Sequence, residues 1–570
     1  GRPGFTTTGY SGNGEGGITQ GATENIFSFS NATSKVAGRH NIRFGLQGQY
    51  RRFEHLTEVG PRGAFTFNGQ YTGNSVADFL LGYCSTCTGT FGTSNSDYRS
   101  MTLAPFVDDV WNVSSKLTVQ AGLRWEYLAP WKEQNDQEGA FDLASGKIGY
   151  HKVPANIPAS LQPLIINQDD FYPAGIVAKD LNNWGPRIGA TYNMTEKTVV
   201  RAGFGVYYDN LNLNELQFMR LVPPFYGSYS LQPAATQILP VETLFPDVNG
   251  IAQFPAPFSI GPDNKTPFTY QWNVNVQRSL GKNYLFEIAY TASESRNLSK
   301  RYNVNQASFG TSPMISRLPY PAFQSAILYS SDDGYADFKG LSLRLEKRYS
   351  GGLFFLGNYQ LSENHDNGSG EIEANDTADR QNLDADYSLS RYNNKHRAAI
   401  SFGYELPFGS GRAHLNNGGV AAQIFGNWQV QGIVRMASGF PFTVTGTNVC
   451  ACGSYVPQRV VQNGNNDGKI DDPTPERWFN PGAYVLPAAG FQGTVARNTL
   501  VGPRSRQTDF SITRRFPIGH ARIEFRGEVY NLFNNVNFGQ PDSNISNATA
   551  GIINSADDAR SMQFGLRFAW

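Results

Sequence analysis

What the chain lacks narrows its class before any motif is considered. Its 570 residues include only 4 Cys and 6 Met, and no stretch of about 18 apolar residues of the kind a membrane-crossing helix needs. An excess of either charge is missing too. Lys+Arg and Asp+Glu are both 47, so no net field draws in a polyanion and no nucleic-acid partner is expected. The 7 His residues are scattered without an H-E-x-x-H motif, and neither a nucleophile elbow nor a phosphate-cradling Gly-Lys-Ser/Thr loop occurs, so no enzyme is predicted. The chain opens at Gly1 with no Met, basic n-region or apolar h-region, which places any export signal outside this sequence.

What is abundant suits strands and turns: 60 Gly, 28 Tyr and 39 Phe. A length of 570 residues would ordinarily suggest several soluble domains. The pattern says otherwise. A membrane-crossing strand needs only about 10 residues of alternating polarity, and alternation keeps the mean hydropathy low, here -0.40.

Alternation is clearest from Lys339, where Leu341, Leu343 and Leu345 oppose Ser342, Arg344 and Glu346. A tight turn at Ser350-Gly351-Gly352 leads into a returning strand, Leu353 to Leu361, and then a long polar stretch, Ser362 to Ser390. The unit recurs in Asn41 to Phe53, Leu117 to Leu128, Thr198 to Asp209, Asn283 to Thr291, Trp428 to Val444 and Ala521 to Phe533, most after a turn of a few residues. Between hairpins lie long Gly/Asn/Pro/Ser-rich segments: Ala129 to Asn183, Asn210 to Pro267, Ser293 to Tyr335 and Thr445 to Arg506. Structureless loops of that length are foreign to soluble domains but expected on the extracellular side of an outer-membrane barrel. A β-propeller or β-helix would need a fixed repeat, and none is found.

The final strand alternates up to the terminus, with Phe564, Leu566, Phe568 and Trp570 on one face and Gln563, Gly565, Arg567 and Ala569 on the other. Its edge is expected to close against the first strand, because an open apolar edge invites aggregation. In the preceding hairpin Phe510, Ile512, Ile523, Phe525 and Val529 are read as lipid-facing, and Asp509, Arg522, Glu524, Arg526 and Glu528 as lumenal. Trp111, Trp125, Tyr127, Tyr207, Tyr208 and Trp428 sit where interfacial aromatic girdles occur.

These readings predict an all-β fold, a transmembrane antiparallel β-barrel of outer-membrane type, as a fragment lacking a plug and its first strand or strands. Residues 1–570 form one barrel portion with long extracellular loops and no separate soluble domain. About fifteen strands are counted. Since short turns belong in the periplasm, the first, roughly Glu24 to Ser34, runs downward, and at least one upward strand is expected before it.

Several segments resemble TonB-dependent transporters of the Oar-like group, which carry an N-terminal carboxypeptidase-regulatory-like domain. They are Gly38-Arg39-His40-Asn41-Ile42-Arg43-Phe44-Gly45, Ser75-Val76-Ala77-Asp78-Phe79-Leu80-Leu81-Gly82, Asn183-Trp184-Gly185-Pro186-Arg187, Arg497 to Gly502 with Asp509-Phe510-Ser511, and Phe525-Arg526-Gly527-Glu528-Val529-Tyr530-Asn531-Leu532-Phe533-Asn534 with Asn537-Phe538-Gly539. The resemblance implies receptor-mediated uptake of a scarce nutrient, such as a siderophore, oligosaccharide or peptide, across the outer membrane of a Gram-negative bacterium. A TonB-ExbB-ExbD complex would drive it through a plug, and neither plug nor TonB box is recognisable here. The last strand resembles the signal read by the barrel-assembly machinery, carried by Phe564, Leu566, Phe568 and Trp570. A surface-adhesive barrel and a passive porin are the alternatives.

Three features offer chemistry. Asn463, Asn465, Asp467, Gly468, Ile470 and Asp471 imitate the start of a calcium loop, but Thr474 stands where a bidentate acid belongs, so a plain surface turn is the competing reading and calcium the one cofactor considered. Cys84 and Cys87 form a C-x-x-C, and Cys450 and Cys452 a C-x-C. In an oxidising compartment local disulfides are expected, with a cross-loop pairing open. The pair Asp332-Asp333 and the run Glu371, Glu373, Asp376 and Asp379 are read as solvated loop charge.

Overall fold

The computed structural model describes all residues except 1–2, 11, 13, 15–17, 60–61, 93–94, 156, 160, 211–212, 217, 223, 233–256, 324 and 371–375. Alternation of the kind above leaves one arrangement open in lipid, a sheet in which every backbone N–H and C=O is paired with a neighbouring strand. The chain forms such a sheet as one antiparallel meander. Its wall strands are β1 (Ile18–Ala37), β2 (His40–Val59), β3 (Asn95–Asn112), β4 (Leu117–Trp125), β5 (Trp184–Thr195), β6 (Thr198–Tyr208), β7 (Phe268–Ser279) and β8 (Tyr284–Asn303). They continue as β9 (Leu328–Ser350), β10 (Leu353–Asp366), β11 (His396–Glu405), β12 (Trp428–Ala437), β13 (Ser505–Ile518), β14 (Ala521–Tyr530) and β15 (Ser561–Ala569). Each pairs with the next in sequence, and four strands of two or three residues complete a 19-stranded sheet.

Register sorts the side chains by face. Leu343 stands opposite Ile288 and Tyr359, whereas its neighbour Arg344 stands opposite Glu287 and Asn358. The row Phe510, Val529 and Met562 continues the apolar outer face around β13 to β15. On the inner face Arg515 pairs with Glu524 at 2.8 Å and Arg526 with Glu528 at 3.6 Å. The phase read from the sequence holds in both hairpins. Tyr207 departs from it: the girdle residues Trp125 and Trp184 meet on the outside, their rings 6.4 Å apart, but Tyr207 lies on the inner face beneath the Arg187 guanidinium.

One expectation is corrected. The strands flanking Ser293 to Tyr335 do not stop at the apolar band; β8 runs on to Asn303 and β9 begins at Leu328. Polar residues on both faces look like loop in sequence, yet the hairpin keeps pairing above the membrane. Its register shifts at Ser295/Leu298, where Asn297 takes φ +56° and a Cβ on Gly334 would stand 2.4 Å from the Leu298 carbonyl oxygen. The closure of β15 is expected on an upward strand ahead of β1, and β1 itself is not its neighbour. Among the described residues β1 pairs with β2 and β15 with β14 alone. Both run from the loop side to the turn side, and antiparallel pairing requires opposite directions. The outer face of β15 is correspondingly open, with Phe564 73%, Leu566 66% and Trp570 98% exposed.

Apart from Tyr98 near the loop end of β3, the largest buried side chains are not in the wall. They belong to the long loops, which fold into a cap. One core joins Phe141 and Tyr150 of the β4–β5 loop, Val222 of the β6–β7 loop and Phe323 and Ile327 of the β8–β9 loop. A second surrounds Trp131, Tyr98 and Met219, and a third lies wholly within the β12–β13 loop around Phe479 and Val460. Within the β2–β3 loop, helix α1 (Ser75–Leu81) is capped by Asn74, whose side chain accepts from the Val76 and Ala77 amides. Its Asp78 is fully buried and accepts from Thr72.

Leu343 sits midway between the outward-facing Lys339 and Lys347, at the centre of the apolar band. Leu343→Arg is expected to lower the unfolding free energy by about 2–4 kcal/mol, and Ser342→Arg on the lumenal face by much less. Urea titrations of the two variants in phospholipid vesicles, compared with the unmodified chain, check both.

Candidate functional site

The mouth of the barrel is organised by buried charge. Lys300 at the top of β8 donates to Asp386 at 3.3 Å and to the Asn367 carbonyl at 2.6 Å. Arg459, from the β12–β13 loop, reaches the other oxygen of Asp386 at 3.3 Å. Arg497, 1% exposed, binds Asp366 at 2.5 Å and Asp376 at 3.2 Å, and its Nε donates to the Asp386 carbonyl. Arg391 meets Asp376 at 3.2 Å and Ser369 donates to Asp366 at 2.8 Å. These residues come from the β8 summit, the end of β10 with the loop that follows it, and the β12–β13 loop, so one network ties three excursions together.

Burial opposes ionisation of Asp376, but the Arg497 and Arg391 guanidiniums outweigh it and hold its carboxyl below the ordinary range. At Asp386 burial wins and pushes the pKa up, although Lys300, Arg459 and Arg497 pull the other way. Beside the network a cavity of about 350 Å³ is lined by Lys300, Arg301, Glu215, Asp366, Asp376 and Tyr335. A second, of about 190 Å³, lies on the inner wall of β2 to β5, where Arg43, Arg124, Arg187 and Asp108 share a floor. Glycine makes that floor possible: a Cβ on Gly122 would stand 2.2 Å from the Asp108 Oδ1. Arg124 is held by Gln47 at 2.8 Å and Glu126 at 3.0 Å, and Arg187 lies over Tyr207. Both cavities present charged and hydrogen-bonding side chains beside apolar surface, suited to binding a solute through both.

A third polar centre lies in the cap. Glu133 accepts from the amides of Asp97, Asn135 and Gln137, and Glu138 is buried beside it. Burial first, and then the Glu133 carboxylate, push the Glu138 pKa up to about 8.

Asp376 is thus no solvated loop charge, as the sequence suggested. It sits inside a packed cap, and its partners Arg391 and Arg497 are 15 and 121 residues away in sequence, beyond the reach of any local pattern. Asp332 accepts from the Lys265 amide at 3.1 Å, and Glu371 and Glu373 lie outside the described residues. Cys84 is bonded to Cys87 beneath Phe65 and Phe67, and Cys450 to Cys452. In the loop of Asn463, Asn465, Asp467 and Asp471, Asp467 is taken by Lys469 at 2.6 Å and Asn463 donates to the Gly482 carbonyl. Among the described residues, no three acidic, His or Cys side chains converge in a way that would hold a metal ion. Phe564, Leu566, Phe568 and Trp570 line the outer face of β15.

Residues 1–563 match the protein family described as outer membrane beta barrel domain. No curated protein matches the sequence. Among solved structures, the outer membrane transporter YddB from Escherichia coli is similar with a TM-score of 0.51 at 10% identity, covering 97% of this chain and 54% of that one. The ferripyoverdine receptor of the outer membrane of Pseudomonas aeruginosa gives 0.46 at 11% identity, covering 96% and 48%. The ferric yersiniabactin uptake receptor FyuA from Yersinia pestis gives 0.45 at 11%, covering 97% and 54%. The chain spans about half the length of these structures.

Two outcomes follow from the buried charges. Arg497→Ala leaves Asp366 buried without a guanidinium and Asp376 with Arg391 alone, and should cost the cap about 3–5 kcal/mol, seen as faster hydrogen exchange across 376–391 with the wall strands unchanged. For Glu138, the folded carboxyl keeps its proton up to about pH 8 whereas the unfolded one releases it near 4.5. Glu138 therefore contributes most to the cap below pH 4.5, and its contribution falls as pH rises to about 8 and levels off above. Hydrogen exchange of residues 131–140 across this range should show that slope, and Glu138→Gln should flatten it.

Proposed function

The chain belongs to the outer membrane β-barrel domain family, and on that premise we propose that it is the barrel portion of a TonB-dependent transporter of the Oar-like group. The observation that carries this reading is the folded cap. Its loops bury their own cores and an ionic network, and they stand over a lumen lined by polar and charged side chains. A passive pore gains nothing from an ordered mouth, whereas a receptor does, because preorganised polar groups bind a solute without first being ordered. The motifs around Gly38 to Gly45 and Phe525 to Asn534 support the assignment to the Oar-like group.

The substrate class proposed is a scarce polar nutrient, a siderophore, an oligosaccharide or a peptide. The two lining cavities offer guanidinium and carboxylate groups side by side, suited to solutes that carry both hydroxyl or amide groups and charge. The TonB-ExbB-ExbD complex is the energy source in this reading, and the barrel-assembly machinery recognises β15.

Uptake of a labelled ferric siderophore, maltodextrin or tripeptide by cells carrying the full-length protein should be lost when the partner TonB is deleted. Uptake that continues without TonB, together with steady conductance of the purified protein in planar bilayers, would replace active transport with the porin reading.

A further inference from the structure

One turn-side connection is far longer than closing a hairpin requires. The other turns hold two to four residues, whereas β11 and β12 are joined through 406–427, which carries helix α2 (Val420–Phe425). No residue of α2 is charged. At about 100° per residue, Val420, Ala421, Ile424 and Phe425 share an arc of about 140°. That arc faces away from the protein: Val420 is 73%, Ile424 53% and Phe425 61% exposed, while Ala422 on the other side is buried.

The helix is fastened to the lipid side of the wall. Arg514 of β13 donates through Nη1 to the Ile424 carbonyl at 2.5 Å and through Nη2 to the Gln423 carbonyl. Trp428 Nε1 donates to the Ile424 carbonyl at 3.0 Å. Carbonyls of a last helical turn have no partner within the helix, so the guanidinium and the helix end satisfy one another. Gly426 lets the helix press on its own turn, since a Cβ there would stand 2.7 Å from the Gly409 Cα.

Register fixes the depth of this attachment. Arg514 stands in an outward row with Trp428 and Phe525. The next outward row towards the loops holds Ile512 and Phe564, and the next towards the turns holds Phe516 and Phe568. Apolar side chains therefore face outward above and below Arg514. Arg514 itself is 7% exposed, with the rings of Trp428 and Phe516 against its guanidinium. A bare arginine on a lipid-facing row is costly, and α2 supplies its cover.

We propose that α2 lies in the turn-side leaflet of the membrane, with Val420, Ile424 and Phe425 among phospholipid acyl chains and Arg514 as its tether to the wall. The apolar arc continues the lipid-facing surface through Trp428, whose ring meets that of Phe525 at 5.9 Å. Because Phe516 and Phe568 lie still nearer the turns, hydrocarbon reaches past the attachment, and the arc meets lipid instead of an aqueous partner. The inference rests on the outer-membrane location and not on the transport reading.

The four native cysteines are bonded in pairs, so a spin label can be directed to an introduced cysteine. Ile424→Cys, Phe425→Cys and Asn417→Cys are labelled in the full-length protein in phosphatidylethanolamine–phosphatidylglycerol vesicles. Collisions are then compared for oxygen, which partitions into hydrocarbon, and a nickel chelate, which stays in water. Oxygen should exceed nickel several-fold for Ile424→Cys and Phe425→Cys, and the order should reverse for Asn417→Cys in the exposed part of the turn. An excess of nickel at both helix positions would put the helix in water, and labels shielded from both reagents would mean that a second copy or another protein segment covers it. Either result overturns the proposal. Arg514→Met keeps an unbranched apolar stem without the guanidinium, and should sharpen the spectrum of the Ile424→Cys label by freeing the helix. Unchanged label motion would overturn the tether.

Discussion

Everything in this molecule depends on the pairing of backbone groups across neighbouring strands, because no water is present in the hydrocarbon to satisfy them. That demand sets the meander, and the meander sets which residues share a face. Once Leu343 is placed outward by its neighbours Ile288 and Tyr359, Arg344 must turn inward beside Glu287. A one-residue slip would exchange the two faces over the whole strand, so the apolar row holds the register as firmly as the hydrogen bonds do.

A wall of this kind has no interior to fill with apolar side chains, since its outer face meets lipid and its inner face meets water. The hydrophobic core moves elsewhere. Trp131, Tyr98, Phe141 and Phe479 are buried in the cap, together with Arg497, while Phe44, Ile188 and Phe564 are exposed on the wall. In water the first group would make an ordinary core and the second an aggregation surface; with the membrane present each has its solvent. The two rims carry residues suited to both sides, such as Trp111 stacked on His40 at the turn side and Trp125 near Trp184 at the loop side.

The wall was legible in the sequence because its signal is local. A strand of about ten residues shows its faces to any reader who counts by two, and the short turns mark the side. The cap was not. Its first core joins residues from three separate loops, as in Phe141 with Val222 and Phe323, and no period connects them. Gly- and Asn-rich composition suggested loose loops, yet Asn at positive φ, as at Asn297, Asn498 and Asn531, shapes defined turns. The ends of β8 and β9 were missed for a related reason: above the membrane both faces of a strand meet polar surroundings, and alternation fades although pairing continues. The network around Arg497 combines both difficulties, with acids read as solvated and bases several loops away.

That network has a mechanical consequence. Asp386 is shared by Lys300 and Arg459, and Arg497 is shared by Asp366 and Asp376, so no loop can withdraw without leaving a partner's charge buried and unpaired. The cost of such a charge exceeds the modest gain from any one contact. A gradual opening, one loop after another, is therefore the expensive route. Moving β8's summit, the β10–β11 loop and the β12–β13 loop together would keep these ion pairs, but it would part the core that joins Tyr302 and Phe323 to Phe141 and Tyr150. The ion pairs and the shared apolar core therefore hold the mouth as one body, and removing any one of its bases strains the rest.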